Sequence, residues 1–336
     1  MYVYAGIDEA GYGPMYGPLT IGCAVLTLPD RPSDAKPPAL WEMLEPAVCK
    51  RLQGRRGRIV VNDSKKLTTK AAGIKHLELG VLSFAGLSGA TLPADVGQWL
   101  DQIGEARHRD PASHQSQNLS GLPWYEATGD APWQALPSAN TADEVTLAGG
   151  MLKRACKDVG VHFERFATEV IYEDEFNHKV GLTRSKASVS FTAVASHLLK
   201  LMEDFGEHHP HVAVDRQSGR TRYRDLLGQV FEGAEINVLA EGNKASVYEV
   251  VAGKRKMFIS FLVEAEQQHM PVALASMNAK LTRELLMQRF NAYFQAIAPD
   301  VKPTAGYGSD ANRWRDDILA HLQKTGVDHG KLRRLS

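Results

Sequence analysis

Three apolar segments of this chain each run into carboxylates, and that pattern constrains the fold more than any other feature. Residues 2–8 lead into Asp8-Glu9. His211-Val212-Ala213-Val214 leads into Asp215. Met257-Phe258-Ile259-Ser260-Phe261-Leu262-Val263 leads into Glu264 and Glu266. Runs of this length and β-branched content read as strands, and so do 19–28 and 161–172. Between them the period turns helical. Helices are expected from about Lys65 to Leu79 behind an Asp63-Ser64 cap, and from Asn140-Thr141 to about Asp158 before Gly160. Others follow over Ser185–Phe205, Ala273–Phe294 and Ser309–Lys324, the last closed by Gly326. Strands interleaved with helices predict an α/β fold built on one sheet.

In α/β sheets, sites form beyond the carboxyl ends of strands. Acids gathered there repel unless a cation lies between them, and hard oxygen ligands suit Mg²⁺ or Mn²⁺. Taken singly, each acid reads more readily as a helix cap or a solvated turn residue; the recurrence at three strand ends is what favours a metal site. The chain carries no HExxH, Cys/His cluster, P-loop or GxSxG.

Composition excludes several other classes. The 336 residues, 43% hydrophobic and 23% charged, can bury a full core and do not describe a disordered chain. No apolar run nears the roughly 18 residues of a membrane span. An acid at position 8 without a preceding basic region is not expected of a signal peptide. Cys23, Cys49 and Cys156 are scattered and odd in number, so no disulfide framework is expected. The expectation is a soluble, cytoplasmic protein, a monomer, with no membrane partner. Lys+Arg and Asp+Glu balance at 39 each, which by itself argues against a nucleic-acid partner.

Gly11 to Pro18 holds three glycines and two prolines, a loop that turns tightly or is approached closely. Residues 29–57 open Pro-rich, as a surface excursion, and end basic. Residues 104–140 hold four prolines and little periodicity, an irregular insertion within 85–140 that Trp124, Tyr125 and Trp133 should hold down. Residues 216–256 form a further extension. A single catalytic domain over 1–336 is expected, with 297–336 as a C-terminal helical segment.

The motifs carry a resemblance. Gly6-Ile7-Asp8-Glu9-Ala10-Gly11-Tyr12-Gly13 with Tyr16-Gly17-Pro18-Leu19 resembles the opening signature of type 2 ribonuclease H, the HII and HIII enzymes. Asp63-Ser64-Lys65-Lys66-Leu67 matches that family's DSKKL, and Val214-Asp215 falls at its third acid. Pro271 to Glu284 resembles its AASILAKVTRD helix, and Gly306-Tyr307-Gly308-Ser309 its late GYGT. Five motifs in order span almost the whole chain.

The resemblance implies an RNase H-like mixed sheet flanked by helices, here with long insertions. It also implies two-metal hydrolysis, with Mg²⁺ or Mn²⁺, of the RNA strand in RNA/DNA hybrids or ribonucleotide-containing duplexes. By position, the family's catalytic and metal-binding acids fall on Asp8, Glu9, Asp215 and Glu266, with Glu264 and Glu241 as weaker choices for the fourth. Glu at that fourth position resembles HIII, as does Gly17-Pro18-Leu19-Thr20, while the separate N-terminal domain of HIII is expected to be absent. Gly11, Tyr12, Gly13, Ser64, Lys65, Lys66 and Tyr307 match substrate-binding positions.

Tyr12 departs from the GRG of HII. It removes a guanidinium and leaves cleavage at a single embedded ribonucleotide open; the ring stacks or simply packs. Glu9 neighbours Asp8 and points to the opposite face unless the strand ends there, as Gly11 suggests. Lys65 and Lys66 in a first helical turn oppose the helix dipole, which a phosphate at the helix start would relieve; without the motif they read as solvated lysines. Two other readings stay open: a nucleic-acid binding protein that lost turnover, and a metal-dependent nuclease with a DNA substrate. Lys254-Arg255-Lys256 and Lys331-Leu332-Arg333-Arg334 read as solvated tails, and Glu173 to Asn177 as a structural turn.

Overall fold

The computed structural model describes residues 1–31, 37–69, 71–104, 122–216, 219–325 and 327–335. Residues 105–121 of the expected irregular insertion lie outside the described residues, and so does Gly326.

The strands are β1 Tyr2–Ala10, β2 Leu19–Leu28, β3 Val48–Cys49, β4 Ile59–Val60, β5 His162–Ile171, β6 His211–Asp215, β7 Glu235–Glu241, β8 Ala245–Ala252 and β9 Arg255–Leu262. The main helices are α1 Leu40–Met43, α2 Ser64–Leu67, α3 Lys75–Ala85, α4 Val96–Ile103, α5 Ala142–Val159, α6 Glu173–Thr183, α7 Lys186–Phe205, α8 Arg224–Val230, α9 Met270–Ile297, α10 Gly308–Thr325 and α11 His329–Leu332. Seven strands form one mixed sheet in the order β5-β2-β1-β6-β9-β8-β7. β1 lies antiparallel to β2 and parallel to β6, and β6 is parallel to β9. This is the expected α/β class, a mixed sheet flanked by helices.

Both faces of the sheet are covered, which explains the near-continuous apolar runs. Tyr2 and Tyr4 of β1, with Ala24, Leu26 and Leu28 of β2, face the cluster formed with α3, α5 and α9. Val3, Ala5 and Ile7, with Ile21, Cys23 and Val25, face α7. The α9 side is unusually close. A Cβ on Gly6 would lie 2.1 Å from the Val272 nitrogen, and one on Gly22 2.4 Å from the Ala275 oxygen. Two glycines on neighbouring strands thus let the start of α9 rest backbone on backbone against the sheet. Trp314 of α10 joins the same apolar cluster against Tyr16, Phe290 and Phe294.

Several expectations need correcting. The helix expected over 65–79 is two, α2 and α3: β-branched Thr68 is extended at φ −95°, ψ 97° and Gly73 takes φ +53°, so the backbone leaves the helix between them. β1 continues to Ala10, so it does not end at Asp8. The 216–256 extension holds α8, β7 and β8, the hairpin widening the sheet beyond β9. Within 85–140, α4 buries Trp99 completely. Trp124 and Tyr125 are buried as expected, Trp124 packing on Phe290 and Phe294. Arg334 is not a solvated tail residue but 2% exposed.

Candidate active site

The parallel arrangement of β1, β6 and β9 brings the strand-end acids to one edge. Ile7 pairs with Val214 and Asp215 with Leu262, so Asp8, near the end of β1, stands on the strand beside Asp215 at the end of β6. A cleft of about 670 Å³ opens there. Its wall includes Asp8, Glu9, Asp215 and Glu266, and also Gly11, Tyr12, Gly13, Ser64, Lys65, Lys66 and Tyr307. Residues spread over three hundred positions of sequence therefore share one cavity.

Glu264 reaches the wall but is exposed, in a left-handed backbone (φ +53°), and its Oε2 accepts from Gln267. Glu241 lies elsewhere, accepting from the Tyr248 hydroxyl on the β7–β8 hairpin. Glu266 sits in the turn after β9, where burial and then the charges of Asp215 and Asp63 raise its carboxyl. Lys50 donates to the Gln267 carbonyl and fastens this turn.

Burial first, and then the Asp215 charge, push the Asp8 carboxyl well above the ordinary carboxylate range. Burial also raises Asp215, against the opposing pull of hydrogen bonds from the Ala265 and Arg216 amides and the Lys65 charge. Asp215 Oδ1 accepts from the Ala265 amide at 3.1 Å. The Ser276 hydroxyl from α9 donates to Asp8, and Ser276 Oγ lies at hydrogen-bond distance, 3.0 Å, from Ser64 Oγ. Ser276 thus ties β1 to α2, which the close glycine contacts of α9 make possible. Glu9 leaves the strand on the other face and accepts from Ser190 of α7.

α2 is a single turn. The Asp63 side chain accepts from the Lys65 amide at 3.0 Å, so the helix start expected to bind phosphate is already capped by a carboxylate. Lys65 and Lys66 extend from it as exposed ammonium groups on the cleft wall. Tyr12 is partly buried and packs on the apolar cluster beneath α7. Tyr307 is 40% exposed, its ring 5.0 Å from the Arg283 guanidinium carbon.

Three residues that the sequence did not single out hold the Gly11–Pro18 loop from behind. Arg283 of α9 is fully buried and donates to the Tyr16 and Ala305 carbonyls. Glu173, also fully buried, accepts from the Gly17 amide at 2.9 Å and the Tyr125 hydroxyl at 2.8 Å. Burial pushes its carboxyl up to about 7. Arg334 donates to the Gly11 and Pro14 carbonyls. Sequence carries a signal for Arg283, inside the α9 motif, but none for the other two, since buried ion networks leave no period.

The donors near Asp8 are all oxygen: carboxylates from Asp8, Asp215 and Glu266 and the hydroxyl of Ser276. That set suits a hard divalent ion, and a cation between Asp8 and Asp215 would offset the burial and repulsion that raise both. Among the described residues no group of three Asp, Glu, His or Cys side chains forms a ready cage. Mg²⁺ is commonly held by one or two carboxylates plus waters and substrate phosphate. No described helix is long and apolar enough to cross a membrane.

No family model matches the chain, and no curated protein matches it. Solved structures do. An RNase HII from Archaeoglobus fulgidus, in a complex with PCNA, is 14% identical with a TM-score of 0.41, covering 99% of this chain and 94% of that one. Bst-RNase HIII in complex with Mn²⁺ is 12% identical at TM-score 0.42, covering 99% and 66%. The ribonuclease H2 of Pyrococcus horikoshii OT3 is 15% identical at TM-score 0.38, covering 99% and 92%. Its five ordered motifs resemble those of the type 2 ribonucleases H.

Proposed function

We propose that the protein is a metal-dependent endonuclease that hydrolyses the RNA strand of RNA/DNA hybrids. The observation that carries this reading is the placement of Asp8 and Asp215 on adjoining parallel strands, in one cleft with the glycine loop. Asp8, Asp215 and Glu266 would hold the divalent ions, with Glu9 entering the cleft from the other face of β1. Such ions supply the nucleophilic hydroxide and stabilise the leaving oxygen of a phosphodiester. Ser276 orients the Asp8 carboxylate through its hydroxyl. Lys65 and Lys66 present point charges to backbone phosphate. The backbone of Gly11-Tyr12-Gly13 lies where a ribose can approach closely, and the 2′-hydroxyl is what separates RNA from DNA. Tyr307, with Arg283 against its ring, offers a flat face beside the acids.

The test is cleavage of three duplexes with Mg²⁺ or Mn²⁺: a uniform RNA/DNA hybrid, a duplex with one embedded ribonucleotide, and plain DNA. The hybrid should be cut, and Asp8→Asn or Asp215→Asn should reduce the rate by at least about a thousandfold. Cutting of DNA alone, or undiminished cutting by either variant, refutes the proposal. No cutting of any duplex, with binding retained, leaves a binder on an inherited fold.

A further inference from the structure

We infer that Arg334 is a positioning residue for the Gly11–Pro14 loop, and that residues 327–335 form a strap behind the substrate-facing side of the cleft. The inference deepens the nuclease reading and rests on it for its kinetic consequence.

Arg334 is 2% exposed. Its Nη2 donates to the Gly11 carbonyl at 2.6 Å, and its Nε to the Pro14 carbonyl at 3.1 Å. Its backbone amide donates to the Met15 carbonyl at 2.9 Å. The guanidinium lies 4.8 Å from the Phe176 ring centre. The strap is itself tied down: Asn177 donates to the Arg333 carbonyl at 2.8 Å and accepts from the Leu335 amide at 2.7 Å. A Cβ on Gly11 would also lie 2.6 Å from Arg283 Nε, and Gly11 sits at φ +88°. The loop therefore rests on two buried arginines.

The physical need is clear. A segment with three glycines and two prolines lacks a ladder of its own, and its buried carbonyls require donors. In a trans peptide the carbonyl and the next amide point in opposite directions. Drawing the Gly11 carbonyl back to Arg334 fixes the plane of the Gly11–Tyr12 peptide, and with it the side the loop presents to the cleft. The planar guanidinium spans two carbonyls at once, which an ammonium cannot reproduce. None of these contacts touches Asp8, Asp215 or Glu266, so loosening the strap should disturb substrate placement and leave metal binding intact.

The experiment compares full-length wild type with Arg334→Met, Arg334→Lys and Asn177→Ala. The last loosens the strap without removing the guanidinium, and it serves if Arg334→Met does not fold. Amide exchange over residues 11–17 should rise about tenfold or more in Arg334→Met, from loss of charge-assisted hydrogen bonds, while β1 and β2 keep their protection. KM for an RNA/DNA hybrid should rise about tenfold, with the Mn²⁺ concentration for half-maximal activity unchanged. Arg334→Lys should recover part of both effects, and Asn177→Ala should show a smaller loop effect. Unchanged loop exchange in folded Arg334→Met, or an equal rise across β1, β2 and the loop, overturns the inference. Should wild type cut no duplex, the nuclease reading fails while the exchange comparison still decides the strap.

Discussion

Glu173 offers a quantitative check on how the site is built. Its carboxyl is fully buried, held at about 7 by burial despite the Tyr125 hydroxyl, the Gly17 amide and the nearby Arg334 charge. The unfolded carboxyl titrates near 4.5. Below 4.5 both states are protonated, and the contribution to stability is complete. Between 4.5 and 7 the folded protein keeps a proton that the unfolded chain has lost, so stability falls as pH rises and the contribution is gone above 7. The loss across that window is about 3 kcal/mol. Glu173→Gln keeps an oxygen for Tyr125 and Gly17 and cannot ionise; Oε2 of Glu173 meets no donor among the described residues. The variant should match wild type at pH 4.5 and exceed it by about 3 kcal/mol at pH 8. Denaturant unfolding of both proteins from pH 4.5 to 8 measures the difference. Parallel pH profiles would show that Glu173 is ionised in the folded protein, and the reasoning would be wrong.

Two further outcomes follow from the same geometry. Gly6→Ala places a methyl group 2.1 Å from the Val272 nitrogen, far inside van der Waals contact, and should cost more than about 4 kcal/mol, seen as loss of cooperative thermal unfolding. Gly13→Ala meets nothing within 4 Å and should change stability by less than about 0.5 kcal/mol; equal losses in the two variants would refute the close packing of α9. Four cationic side chains, Lys65, Lys66, Arg216 and Lys280, line the cleft, so the logarithmic salt slope of hybrid binding should be no steeper than about −4. A steeper slope in a filter-binding titration would mean that binding uses a broad basic surface beyond the cleft.

The overall charge balance did not forbid a nucleic-acid site, because charge is placed rather than spread. Asp8, Asp215 and Glu266 line one cleft, and lysines of α2 and α9 line it with them. Arg334 and Arg283 are spent inside the molecule on loop carbonyls. A count of charges from sequence treats a buried arginine and a surface one alike.

Local signals on the chain determined much of this protein. Apolar strands running into Asp8 and Asp215, the capped start of α5 at Thr141 with Glu144, and α7 behind Ser185 were all readable, because their patterning and caps are properties of adjacent residues. Five short motifs carried the candidate site residues apart from Glu266, which was placed by its distance before Val272. Tertiary structure decided what depends on distant segments meeting. It split the 65–79 helix where Thr68 turns extended. It turned 235–252 into a strand hairpin that joins the sheet through β9. It also drew Glu173, Tyr125, Arg283 and Arg334 around a glycine loop whose carbonyls and amides have no partners of their own. Those partners lie up to 323 positions away, and no local period records such a bond, because hydrogen bonding in a loop is set by which chain segments fold over it.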